Sequence, residues 1–387
     1  MSRVESTTSD AMRIVDRGSV LPQLTNRWLG VNDVPTEEEA FPAFPARPFG
    51  GACWDGQMLT GETAEVALEG MDEVRLLDKE ESESLAAHWD EPGRGISPAI
   101  LHHNAEAANL PLLIQPAHGS VHQLEIALSE ADPLLADRLH VRLETGVVST
   151  LVVDVKSQDD REAFRNGTLL IDLEADSLLQ LVLIDRFHAA VHNNFSLSFR
   201  AADGAQLKIA HVELGAARSN INISGDLLGA ESELDAYDAY LVQGSSKLDL
   251  FYDIRFYGEL SRGTIHADGA LFDQAYKSFR GTLDFREGCV GAVGDEEESA
   301  VLMSDEVHSV AVPLLLCHEE AVQGNHATSA GRMDEEMLFY LMSRGISAKE
   351  AEGLIVESRM VPTLDQIPDP ALRESIRAAI HEQIVRP

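Results

Sequence analysis

Cysteine is scarce in this chain: three residues in 387, at positions 53, 289 and 317, with no CxxC pair among them. An odd count without paired spacing excludes a disulfide framework and a zinc-finger-type site, and it suits a reducing compartment, so a cytoplasmic home is expected. Basic residues are also few. Thirty Lys and Arg stand against 65 Asp and Glu, a formal charge of -35. Nucleic-acid affinity rests on cationic contacts to phosphates, so DNA, RNA and anionic membranes are poor partners. Such a charge reads as a solvated surface, with a salt-adapted host or a basic partner as alternatives. No window offers the roughly 18 consecutive apolar residues of a membrane span, and the N-terminal "MSRVESTTSDAMRIVDRG" has no apolar h-region.

Catalytic templates are missing too. No GxxxxGK[ST] or GxGxxG follows a strand and opens a helix, and neither GxSxG nor HExxH occurs. Asp249, Asp253, Glu259 and Asp268 can mimic the paired carboxylates of a glycosidase or a polysaccharide lyase, but a solvated face is the better account in so acidic a chain.

What is present is a hydrophobic content of 44%, enough for a sizeable core and two or three domains. Three zones divide the chain. Residues 1–109 are helical or irregular: a helix is expected near Ser9 to Arg17 and another from Glu80 to Trp89, separated by the proline-rich "EAFPAFPARPFGG". That run reads as an ordered loop packing its phenylalanines, with a polyproline ligand as the alternative. Residues 110–323 alternate apolar and polar over short spans, as in "VHQLEIAL", "STLVVDV", "GTLLIDLE" and "QLKIAHVEL", punctuated by Gly, Asp or Asn. These are strands, and their number suggests a sandwich, a barrel or a solenoid, among which periodicity alone does not choose.

Residues 324–387 carry a helix pair. Asp334 is a good N-cap, and Glu335 and Glu336 suit the positive end of a helix. Met337, Leu338, Leu341 and Met342 make an apolar stripe, while Phe339 and Tyr340 lie on another face. The helix is therefore apolar nearly all round, expected either deep in its own domain or with one face kept for a partner. Gly345 fits the left-handed C′ position after Arg344, and Ser347 with Glu350 spells a capping box for the next helix. A last helix begins at Asp369 and Pro370.

At this junction the sequence resembles the SufB/SufD family of iron-sulfur cluster assembly proteins. The resemblance is carried by "VLMSDEVHSVAVP", "GNHAT" and "MDEEMLFYLMSRGISAKEAEGLI", and more weakly by "GAARSNINISGDLLGAESELDAYDAYLV" and "FRGTLDF", all in family order. It implies a mainly β fold, a right-handed parallel β-helix flanked by N-terminal and C-terminal helical regions. It implies two partners: a SufC-like ABC ATPase docked through the C-terminal helical domain, and a SufB-like subunit. By that reading Met337, Leu338, Phe339, Tyr340, Leu341, Met342, Arg344 and Gly345 are the ATPase-docking candidates. An iron-sulfur cluster would form transiently at the interface of the complex, with no cofactor held tightly by this chain alone, and the sequence does not decide whether a flavin takes part.

Within the family, SufB-type sequences place a cysteine after the SDE-like turn and an acid after the later histidine. Here those positions are Val307 and Ala327, which favours the SufD role. SufD-type sequences often read Cys-Ser-His where this chain reads Gly324-Asn325-His326. His326 is kept, and the resemblance makes it the candidate for cluster assembly and for a metal ligand, since imidazole can hold iron. Cys317 and His318 are neighbours on a strand, pointing to opposite faces, so a shared metal is not expected. Cys289 reads as a buried small hydrophobe, and Cys53 lies outside the resemblance. The chain is expected to be a non-catalytic SufD-like subunit. A SufB-type scaffold, a homodimeric assembly protein and, more remotely, a carbohydrate-active β-helix enzyme are the alternatives.

Overall fold

The computed structural model describes residues 94–385 without a break and separate stretches of the first 93, including 49–59 and 73–85. From Leu110 to Arg332 the chain winds as a parallel β-solenoid of about 8 turns. Each turn gives one strand to each of two ten-stranded sheets. One sheet runs from Val121–Leu128 through Val148–Ser157 and Leu178–Arg186 to Gln323–Arg332. The other runs from Leu110–Ile114 through Asp137–Leu143 and Ala163–Leu173 to His308–Cys317.

Successive turns stack in register. Leu181 lies beside Ile209, Ile209 beside Ala236 and Ala236 beside Ile265, and all four are buried in one central core. Alternate residues of a strand face opposite ways, so each strand feeds this core with one set of side chains and presents the other set outward. Tight turns close the coils. Gly215 has φ +96, and a Cβ there would stand 1.8 Å from the carbonyl oxygen of Phe187, so no other residue fits.

The outward faces are covered from the two ends of the chain. Helices Ala348–Leu364 and Pro370–Val385 lay Val356, Met360, Leu364, Ile376 and Ile380 on Val182, Val212, Leu241 and Val301 of the first sheet. Helix Pro98–Ala107 covers part of the second sheet: Ser97 caps it by accepting from the Ile100 amide at 3.2 Å, and Asn104 donates to the carbonyls of Asp137 (3.0 Å) and Asn166 (2.6 Å). The sequence reading missed this helix, although a serine followed by a proline at the first helical position is a start signal. Antiparallel strands Ala52–Trp54 and Val74–Leu76 close the first turn.

The fold is mainly β, with its helices mostly at the C-terminus, as expected. Other expectations change. The helix expected over Ser9 to Arg17 is a strand, Ala11–Val15, paired antiparallel with Arg3–Ser6. In the sequence Met12 and Ile14 alternate with Arg13, a period of two that suits a strand. The helix expected to reach Trp89 is described over Lys79–Ala86. In the proline-rich run, Phe49 is buried and Phe44 packs against Ile96 and Ile100, but Ala40–Pro42 is a strand paired antiparallel with Ala11–Val15, so the expected loop is in part a strand. The last strand continues to Arg332, so residues 324–332 belong to the solenoid and the helices begin at Glu335.

Candidate functional site

The two ends of the solenoid differ. Its first turn is closed by added strands, whereas Gln323–Arg332 and His308–Cys317 are the outermost strands of their sheets. An outermost strand carries main-chain donors and acceptors on its free side, which pair readily with another strand. Gln323–Arg332 is exposed almost throughout, and His326 is exposed in its middle.

His326 stands in register beside Glu296, and Thr328 beside Glu298. Both glutamates face the interior of the solenoid. Glu298 Oε1 accepts from Lys277 Nζ at 2.5 Å and from the Tyr240 hydroxyl at 2.7 Å, which anchors that carboxylate through one oxygen. Glu296 is 2% exposed, and among the described residues neither of its oxygens has a hydrogen-bond partner. Burial, and then the charge of Glu298, push its carboxyl up to about 8, so it is protonated at neutral pH. Gly281 leaves it room, since a Cβ there would stand 2.3 Å from Glu296 Oε1. The sequence reading missed Glu296; the available signal was an acid at an inward position of an alternating strand.

Val307 is partly buried against the core and Ala327 is exposed beside Glu297. Neither can donate a thiolate or a carboxylate. The three cysteines are free: Cys289 is buried, Cys53 half-buried and Cys317 exposed at the end of its edge strand. His318 Nε2 lies 3.7 Å from Asp284, an ion-pair neighbour and not a partner of Cys317.

The docking candidates follow directly after this edge. Asp334 Oδ1 accepts from the amides of Glu336 (2.9 Å) and Met337 (3.2 Å), starting helix Glu335–Ser343. None of its residues is buried, and Phe339 is 74% exposed. The expectation of a helix deep in its own domain is therefore overturned: the two following helices occupy the sheet surface, leaving this one outside. Two grooves flank it. One, of about 680 Å³, is lined by Met337 and Leu341 together with Val301, Met333, Leu354 and Ile355. The other, of about 470 Å³, is lined by Leu338, Phe339 and Met342 with Leu302, Met303 and Met333. Arg344 stacks on the Tyr340 ring at 5.1 Å, and Gly345 takes φ +91 while its amide donates to the Met342 carbonyl at 3.0 Å. Ser347 and Glu350 close the capping box that starts the next helix. No helix among the described residues is long and apolar enough to cross a membrane.

A parallel β-solenoid with one closed end, one open edge and an exposed apolar helix beside that edge defines the class of protein. Residues 126–359 match the family model described as SUF system FeS cluster assembly, SufBD core domain, and the chain belongs to this SufB/SufD family. It is SufD-like, with SufD members among its relatives. The iron-sulfur cluster assembly protein SufD of Bacillus subtilis is 29% identical over 159 residues, which is 41% of this chain and 36% of that protein. SufD of Escherichia coli is 23% identical over 255 residues, 64% of this chain and 58% of that protein. A SufBD family protein of Pyrococcus horikoshii is 26% identical over 196 residues, 51% and 44% of the two chains. The matched parts thus span between 36% and 58% of the length of these relatives.

Proposed function

We propose that this chain is a SufD-like, non-catalytic subunit of an iron-sulfur cluster assembly complex of the SufBCD type. It docks a SufC-like ABC ATPase through helix Glu335–Ser343 and pairs with a SufB-like subunit along the free edges of the last turn. The observation that carries the reading is the bare helix, whose apolar residues line a groove on either side while none is buried. An apolar surface of this kind marks a binding site. The edge strands supply main-chain pairing for the second partner, and His326 lies on one of them. The cluster is cargo of the complex, and its hydrolysis-driven assembly draws on the ATPase, since this chain carries no phosphate-binding loop. A cytoplasmic setting fits three free thiols.

Anaerobic coexpression with the host's SufB and SufC tests this, read by the mass and the ultraviolet-visible spectrum of the purified complex. One copy of this chain per SufB with two of SufC is expected, and Leu338→Asp or Leu341→Asp removes SufC. His326→Ala is expected to leave the complex assembled with less cluster absorbance; unaltered cluster yield would return His326 to a plain edge residue. A folded Leu338→Asp variant that still captures SufC sinks the helix as the dock. A chain that purifies as a homodimer without SufB assigns the edge to self-pairing.

A further inference from the structure

Well away from the open end, the solenoid core holds a cluster that docking does not use. Asp185, on strand Leu178–Arg186, lies in register beside Glu213 on Gln206–Leu214, and His211 sits two residues before Glu213 on the same inward face. Asp185, His211 and Glu213 are 3%, 1% and 2% exposed. One ligand atom from each lies within 4.8 Å of the others. His211 Nε2 stands 3.6 Å from Asp185 Oδ2 and 3.9 Å from Glu213 Oε2, beyond hydrogen-bond distance. Among the described residues, neither oxygen of Glu213 nor His211 Nε2 has a hydrogen-bond partner within 3.5 Å. Buried polar atoms without partners are costly, and three of them converging on one point mark a place built for something else.

The far side of each residue is fixed. His211 Nδ1 is 2.7 Å from Asp238 Oδ1, and the Tyr252 hydroxyl donates to the other oxygen of Asp238. A carboxylate behind a histidine in this way fixes its tautomer and aims Nε2 at a metal. Arg165 donates to Asp185 Oδ1 at 2.9 Å and holds Asp137 with its other edge, leaving Asp185 Oδ2 turned to His211. Metal bonds of about 2.0–2.2 Å set neighbouring ligand atoms about 3.0–3.5 Å apart. The two separations from His211 Nε2, 3.6 and 3.9 Å, exceed the upper value by a few tenths of an ångström, and all three ligand atoms lie within 4.8 Å of one another.

We propose that Asp185, His211 and Glu213 form a buried divalent-cation site of the borderline class that accepts imidazole and carboxylate together, such as Fe²⁺, Mn²⁺ or Zn²⁺. Charge supports it. Asp137, Asp185, Asp238 and Glu213 face the single guanidinium of Arg165, so with a neutral imidazole the cluster carries three unbalanced negative charges, which a dication reduces to one. The cluster is sealed from solvent, so the ion is acquired as the turns wind closed. The site is independent of either docking partner.

The test is elemental analysis of the chain purified anaerobically, without chelator, from cells grown with added iron, manganese, zinc or cobalt. About one ion per chain is expected in at least one medium. Glu213→Gln, which is nearly isosteric, and His211→Asn should each lower it at least tenfold, with the cobalt form losing its d–d absorption. Asp154→Asn, an outward carboxylate paired with Arg186, should leave it unchanged. If His211→Asn does not fold, Glu213→Gln decides. Wild-type protein without stoichiometric metal in every medium, or metal content that Glu213→Gln leaves intact, overturns the proposal.

Discussion

Helices Glu335–Ser343 and Ala348–Leu364 are neighbours in sequence and opposites in burial. The first buries none of its residues; the second buries Ala351, Gly353, Val356, Met360, Thr363 and Leu364. Apolar content does not separate them, because Met337 to Met342 is as apolar as any run in the second helix. Arrangement does. Val356, Met360 and Leu364 recur every four residues and form one stripe, which a single sheet face can cover. Six consecutive apolar residues point all round the helix, and no single face covers them. Apolar periodicity therefore says where a chain packs on itself, and an apolar helix without it leaves apolar side chains exposed once one face is placed.

Substitutions can break or sharpen that contrast. The largest effect on stability is expected from Met360→Ala, which empties a fully buried position: a loss of about 2–5 kcal/mol, read by denaturant unfolding. Glu296 comes next. Its folded pKa of about 8 lies above the ordinary glutamate value of 4.5, so the folded state holds a proton that the unfolded state has released, and stability falls as pH rises from about 4.5 to about 8. Glu296→Gln should flatten that fall and gain about 1–3 kcal/mol at pH 8, measured as thermal stability across pH. A pH profile that the substitution leaves unchanged would mean that Glu296 is solvated. Gly345→Ala should cost about 1–2 kcal/mol, since φ +91 places a Cβ against the following carbonyl, and it should loosen the junction between the two helices. The smallest effect on stability belongs to Phe339→Ala, within about 0.5 kcal/mol, because its ring is mostly in solvent. The same variant should weaken SufC capture at least tenfold. A Phe339→Ala chain as unstable as Met360→Ala would erase the difference between the helices.

Much of this was legible in the sequence, and for local reasons. Asp334, Gly345 and the Ser347–Glu350 box predict caps that form within a few residues of themselves, and the alternations from Leu110 onward predict strands. The choice of a solenoid over a sandwich came only from family resemblance, since a period of two is common to both. Register between strands some 30 residues apart was not readable, and register is what brings Asp185 to Glu213 and Glu296 to His326. The outward position of helix Glu335–Ser343 was not readable either, because it depends on later helices having taken the sheet.

The free edge of Gln323–Arg332 also raises a question of company. Unpaired main-chain groups on an outer strand do not distinguish a partner from another copy of the same chain, and identical strands would add to one another without limit were nothing opposed to it. A formal charge of -35 on every copy opposes it at a distance, before any strand meets another. Such repulsion is screened by salt, with a Debye length of about 8 Å at physiological ionic strength and about 3 Å at 1 M. Like-with-like association should therefore grow as salt is added, and the acidity of the surface becomes a selector for unlike partners, written across the whole molecule instead of at the edge it protects.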